Sequence, residues 1–116
     1  MGLDMTLTAK GSNKEVYWRK ANAIHNWFVE KCQGGVDECQ PSSVTRAQLE
    51  ELIETCKKVL ANHDLAEQLL PTQSGFFFGS TDYDDWYFEG LKYTVEEIET
   101  ILLNVNNKKF IYRSSW

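Results

Sequence analysis

The two ends of the chain alternate between apolar and polar positions, which is the pattern of half-buried β-strands. Near the start, residues 4–10 place Met5, Leu7 and Ala9 on one side and polar side chains on the other. Residues 108–116 alternate in a similar way. Two short strands at opposite ends of a chain most simply pair with each other, so the sequence predicts an antiparallel sheet formed by the chain ends.

Apolar residues at three- and four-residue steps predict helices between these strands. The first predicted helix covers residues 15–32, and two glycines follow it. A second helix starts at a capping box of Thr45 and Gln48. A short helix is expected at residues 65–70, and a long one from about residue 84 to residue 104. The predicted fold is a single α+β domain, residues 1–116, with three to four helices packed on the small sheet.

Two intervening segments show no helical pattern. Residues 36–44, which include Pro41, are predicted to be a loop. Residues 72–81 contain three consecutive phenylalanines, Phe76, Phe77 and Phe78. Because neighbours on a strand face opposite sides, at least one of these rings should face a second layer, a cleft or a partner. An isolated two-stranded sheet is weak, so this segment is also a candidate third strand.

Charge and composition exclude some function classes. The net charge is −5, which argues against general nucleic-acid binding because such binders need a surplus of lysine and arginine. No apolar run is long enough for a transmembrane helix, and no membrane partner is expected. Three cysteines without an export signal suit a reducing cytosol. Acidic residues crowd the last helix, whereas basic residues lie near both termini. These basic residues are Lys10, Lys14, Arg19, Lys20, Lys108, Lys109 and Arg113.

Familiar catalytic and metal-binding motifs are not found in the sequence. It has no nucleophile elbow, no phosphate-binding glycine loop and no dinucleotide fingerprint. The cysteines do not form the close pairs that are typical of structural zinc sites. Cys32 and Cys56 lie on apolar stripes and are predicted to be core residues. We therefore expect no cofactor, no metal and no enzymatic activity, with an enzyme of unrecognised type as an alternative.

One group of side chains is a candidate binding site. Trp18, Arg19, Asn22 and His25 lie near one another at helical spacings and offer an aromatic ring, a forked cation, an amide and an imidazole. The competing interpretation is that Trp18 belongs to the core, Arg19 is solvated and His25 lies at a boundary. Four further candidates come from the phenylalanine segment: Gln73, Ser74, Phe77 and Ser80.

Four stretches of the chain are distinctive. They are Met-Gly-Leu-Asp-Met at residues 1–5, Tyr-Trp-Arg-Lys-Ala-Asn-Ala-Ile-His at residues 17–25, Leu-Pro-Thr-Gln-Ser-Gly-Phe-Phe-Phe-Gly-Ser-Thr at residues 70–81, and Ser-Ser-Trp at residues 114–116. Together they resemble a family of small proteins encoded by many bacteriophages and prophages. The family has no settled activity, so the resemblance assigns no site residue. It implies a phage origin and action in the host cytoplasm.

These observations together predict a non-enzymatic phage binding protein that inhibits a host factor, such as a defence factor. In one mechanism it binds a host bacterial protein through its acidic helix or exposed aromatic residues. In the other it sequesters a small nucleotide ligand, an immune signal, with Trp18, Arg19, Asn22, His25 and the 73–80 segment. The abundance of aromatic residues also leaves a homodimer open.

Overall fold

Four strands and four helices form the described part of the chain, residues 2–74 and 81–116, in a computed structural model. The strands are β1 (Asp4–Ala9), β2 (Glu15–Arg19), β3 (Ser42–Thr45) and β4 (Lys109–Ser115). The helices are α1 (Asn22–Cys32), α2 (Arg46–Ala61), α3 (Ala66–Leu69) and α4 (Asp85–Asn104). A 3-10 turn, His63–Leu65, precedes α3. The predicted α+β class is confirmed.

The sheet is antiparallel, with the strand order β2-β1-β4-β3. The strands from the two chain ends, β1 and β4, pair at its centre, with Leu7 opposite Tyr112. This pairing confirms the sheet predicted from the chain ends. Side chains alternate between the two faces, so that Met5, Leu7, Phe110 and Tyr112 are all fully buried on the inner face. The helices supply the other side of this core.

The first predicted helix, residues 15–32, is wrong over its first seven positions. The first five of these form β2, in which Val16 and Trp18 are buried and the other three residues are exposed. So short a segment fits a period of two as well as a helical period, and pairing with β1 decides between them. The chain reverses at Lys20, whose φ of 56° lies in the left-handed region. Helix α1 begins only at Asn22.

The loop prediction for residues 36–44 is wrong at its end, where β3 pairs with β4. Val44 is the one large apolar residue of this four-residue strand, so the sequence shows no alternation there. Residues 76–78, the candidate third strand, lie outside the described residues. Among the described residues, the outer strands of the sheet are β2 and β3.

The predicted ends of the two long helices are confirmed. At the start of α2, the Gln48 backbone N–H donates to Thr45 Oγ1 at 3.1 Å. The Thr45 backbone N–H donates to Gln48 Oε1 at 2.9 Å, which completes the capping box. At the start of α4, Asp84 accepts a hydrogen bond from the Tyr87 backbone N–H at 3.1 Å. A carboxylate in this position also complements the helix dipole.

Arg46 joins the start of α2 to the end of α4. Its guanidinium donates to the carbonyl oxygens of Val105 at 3.0 Å and Asn107 at 3.2 Å, and also to that of Leu102. Its backbone N–H donates to the Lys108 carbonyl at 2.8 Å. The last carbonyls of a helix have no hydrogen-bond partner within the helix. One arginine therefore donates to oxygens that would otherwise accept hydrogen bonds from water.

We expect Arg46→Met to lower the free energy of unfolding by about 2 kcal/mol, since it removes charge-assisted hydrogen bonds to half-buried carbonyls. Urea denaturation measures this change. Lys57→Met is the matched control, because Lys57 also joins α2 to α4, through an exposed ion pair with Glu99 at 3.2 Å. Its expected cost is below about 1 kcal/mol. Equal costs for the two variants would contradict the assigned role of Arg46.

Candidate functional site

A cleft of about 390 Å³ opens between β2 and the first half of α4, where the chain turns from β2 into α1. Its size is within the range of pockets that hold small ligands. One wall consists of residues 17–24. Thr72 and Asp82 border the cleft. The facing wall is formed by Trp86, Tyr87, Glu89, Gly90, Leu91 and Tyr93.

Helix α4 presents two different stripes. Its core stripe includes Tyr87 and Leu91, which are buried. Trp86, Gly90 and Tyr93 follow each other at steps of four and three residues, so they lie on one side of the helix, towards the cleft. Trp86 is 61% exposed and Tyr93 is 39% exposed. These two rings are therefore not needed to fill the core.

Two hydrogen bonds between β2 and α4 hold the facing walls in place. The buried Trp18 indole donates from Nε1 to Thr94 Oγ1 at 2.9 Å, and the Thr94 hydroxyl donates to the Gly90 carbonyl at 2.7 Å. The Tyr93 hydroxyl donates to the Tyr17 carbonyl at 2.6 Å. A buried indole N–H without an acceptor would be costly, so the first bond holds β2 and α4 in one arrangement. The cleft is thereby preformed.

Charges along the cleft are mixed. Asp4 Oδ1 accepts a hydrogen bond from the Tyr17 hydroxyl at 2.6 Å and lies 3.6 Å from Arg19 Nη1. The hydrogen bond to this carboxylate raises the pKa of the Tyr17 hydroxyl above its ordinary value. The positive charge of Arg19 is thus balanced by Asp4. The other charged side chains along the cleft are one cation, Lys20, and two carboxylates, Asp82 and Glu89.

Three of the predicted site residues do line this cleft. Trp18, Arg19 and Asn22 reach it from the end of β2 and the start of α1, rather than from one helix. Asn22 Oδ1 also accepts a hydrogen bond from the backbone N–H of Gln73 at 3.1 Å, which anchors that residue beside the wall. Ser74 is exposed and is not among the lining residues. The two remaining predicted positions, Phe77 and Ser80, lie outside the described residues.

His25 does not line the cleft. It is fully buried, with Nδ1 at 2.6 Å from the Tyr112 hydroxyl and Nε2 at 2.8 Å from Asp37 Oδ2. A neutral imidazole fits both contacts, because Nε2–H can donate to the carboxylate while the tyrosine donates to Nδ1. Burial and, after it, the Asp37 charge raise the pKa of Tyr112 well above its ordinary value. His25 therefore joins α1, β4 and the loop after α1.

The two cysteines predicted to be core residues differ in burial. Cys56 is fully buried, as predicted, and burial raises the pKa of its thiol to about 12. Cys32 is half-buried and packs against the core; burial and then the charge of Glu51 raise the pKa of its thiol to about 11. Both thiols are therefore protonated near neutral pH and are poor nucleophiles.

Trp86, Gly90 and Tyr93 were not among the predicted site residues, although the sequence contains a signal for them. Two aromatic residues lie off the apolar stripe of the last helix, with a glycine between them in the helix interior. Aromatic residues on the solvent side of an amphipathic helix, together with a helix-weakening glycine, indicate a surface with a role other than packing.

No protein-family model, no curated protein and no solved structure matches the chain. Within residues 2–74 and 81–116, no three or more histidine, cysteine or acidic side chains are grouped so that they could hold a metal ion. No helix in that part of the chain has the length and apolar character to cross a membrane.

We expect Thr94→Val to lower the free energy of unfolding by about 1–3 kcal/mol, because the buried Trp18 indole loses its acceptor. Thr100→Val is a close control. Thr100 donates to the carbonyl four residues earlier, at 2.8 Å, as Thr94 does, but it is exposed and accepts no bond from an indole. Chemical denaturation should show a much smaller change for Thr100→Val. A similar change for both would show that the indole bond contributes little.

Alkaline pH should destabilise the protein through Cys56. The pKa of its thiol is about 12 in the folded state against an ordinary 9.0. Its contribution to stability is therefore complete below pH 9 and is lost as the pH rises towards 12, because the unfolded chain loses the proton first. Unfolding free energies measured between pH 8 and 10.5 should fall less steeply for Cys56→Ala than for the wild type. Parallel pH profiles would contradict this assignment.

Proposed function

We propose that the protein is a phage-encoded, non-enzymatic binding protein that inhibits a host bacterial factor, such as a defence factor, by binding it through the cleft between β2 and α4. The observation that carries the proposal is the group of exposed aromatic rings around this cleft. Tyr17, Trp86 and Tyr93 are all exposed there, by 45%, 61% and 39%. Tryptophan and tyrosine are the residues that most often dominate the binding energy of protein interfaces.

The acidic helix supports a protein partner. Helix α4 and its capping residue carry one lysine, Lys92, and six carboxylates. The carboxylates are Asp84, Asp85, Glu89, Glu96, Glu97 and Glu99. The same helix contributes the exposed aromatic residues, so the acidic surface and the aromatic surface adjoin. A basic partner would be attracted by the helix and held by the rings.

A small nucleotide ligand is less well supported. The cleft has a suitable volume, and Trp18, Arg19 and Asn22 line it. However, phosphate groups require a surplus of positive charge or free backbone donors. The charge of Arg19 is balanced by Asp4 at 3.6 Å, and Glu89 stands on the facing wall. His25, the other predicted contact, is buried away from the cleft.

Residues 17–24, which lie within the phage-like stretch 17–25, form one wall of the cleft. The phage origin that the resemblance implies is the reason to place the partner in the bacterial host.

A capture experiment tests the proposal. Immobilised wild-type protein, Trp86→Ala and Leu103→Ala are each exposed to the same bacterial lysate. Leu103 is the matched control, because it is an 87% exposed apolar residue at the other end of α4. We expect a protein that is retained by the wild type and by Leu103→Ala but not by Trp86→Ala. The purified partner should then bind with an affinity at least about tenfold lower for Trp86→Ala, since truncation of a hot-spot residue costs 2 kcal/mol or more.

The outcome that would contradict the proposal is equally specific. If no captured protein depends on Trp86, the cleft is not a protein-binding site. A rise in melting temperature with a nucleotide, lost in Arg19→Ala, would then favour the sequestration of a nucleotide signal.

A further inference from the structure

Within the cleft, the surface of α4 has a gap between two exposed rings, which is called the slot below. Trp86 and Tyr93 lie seven residues apart on α4, about 10 Å along the helix axis, and Gly90 lies between them. A Cβ atom at Gly90 would meet no described atom within 4 Å. Because Gly90 has no side chain, the helix backbone forms the floor of the slot. The slot is therefore open to a partner side chain that enters between the two rings.

Packing does not require this glycine. Gly90 lies in the interior of α4, where glycine weakens a helix relative to alanine and leucine. A Cβ atom there would meet no described residue, so the described surroundings would accept alanine. A residue that weakens its helix and leaves a gap between two exposed rings is most simply explained by an occupant of that gap.

The charges around the slot favour a cation. The faces of tryptophan and tyrosine rings attract positive charge. Glu89 is next to Gly90 in the chain and lines the same wall, and a second carboxylate, Asp82, borders the cleft. On the facing wall, Arg19 is balanced by Asp4, and Lys20 is half-buried at the turn into α1. An anionic group would be repelled by the helix, and an aliphatic group would bury Glu89 without a partner.

We infer that the slot holds an arginine side chain of the partner protein, with its guanidinium plane over Gly90, between Trp86 and Tyr93, and its N–H groups directed to Glu89. Arginine fits better than lysine for physical reasons. Its guanidinium is flat, weakly hydrated, stacks on aromatic rings and donates to carboxylates in a forked geometry. Its aliphatic stem can lie along the apolar walls of the cleft. This inference rests on the proposed function and names the chemistry of the partner.

Short blocked peptides provide the test. Acetyl-Gly-Arg-Gly-amide is titrated into the ¹⁵N-labelled full chain, and the Trp86 indole N–H resonance is followed. Peptides with citrulline, which has the same shape without the charge, and with lysine are the matched probes. We expect saturable shifts with the arginine peptide and about tenfold weaker binding of the citrulline peptide, because the cation–π attraction is lost. Equal binding of the arginine and citrulline peptides would overturn the inference.

Two variants make the test independent of folding. Gly90→Leu fills the slot, and leucine favours a helix more than glycine does, so the melting temperature should hold or rise while peptide binding is lost. Glu89→Gln keeps the shape and removes the charge, and it should weaken binding of the arginine peptide severalfold without affecting the citrulline peptide. Unchanged binding of the arginine peptide to a folded Gly90→Leu variant would overturn the assignment of the slot.

The failure of this inference is distinguishable from the failure of the proposed function. If capture of the partner depends on Trp86 but the arginine peptide does not bind, the protein-binding site is supported and the proposal that it holds an arginine side chain is refuted. If no captured protein depends on Trp86, the proposed function itself is refuted, whatever the peptides do.

Discussion

The pairing of β1 with β4 is the constraint on which the rest of the structure depends. These strands come from the two ends of the chain and pair over six residue positions at the centre of the sheet. Closing so long a loop costs conformational entropy, which the buried inner faces of both strands must offset. Once this pair has formed, β2 and β3 can only add at its two sides. The position of β2, and therefore of the cleft beside it, follows from the contact between the chain ends.

The cleft arises where this sheet meets its longest helix. Helix α4 uses one stripe to cover the core and keeps a second stripe of Trp86, Gly90 and Tyr93 for the cleft. Its hydrogen bonds to β2, from Tyr93 to a backbone carbonyl and from the Trp18 indole to Thr94, hold the two walls in place. A preformed site loses little conformational freedom on binding, so more of the contact energy appears as affinity. The same contacts that stabilise the fold therefore prepare the proposed site.

Much of this architecture could be predicted from residue patterns. The alternation in β1 and β4 predicted the central pair, the capping box of Thr45 and Gln48 placed the start of α2, and apolar periodicity predicted α4 from about residue 84. Local patterns failed at β2 and β3, which are short strands that depend on distant partners. The fold places three of the predicted site residues, Trp18, Arg19 and Asn22, in the cleft. It places His25 in the core instead, where it contacts Tyr112. The facing wall was not predicted: Trp86 and Tyr93 lie off the apolar stripe of α4, but the edge strand that they face, β2, was not recognised.

Binding of a partner protein in the cleft between β2 and α4 can be measured by hydrogen exchange of backbone amides in the presence and absence of the captured partner. If the partner occupies the cleft, exchange slows on binding in residues 17–24 and in residues 86–93, the two walls of the cleft. Little change is expected in the second half of α4 and in α2. Slowed exchange confined to β3, or to the second half of α4, with the two walls unaffected, would contradict binding in the cleft.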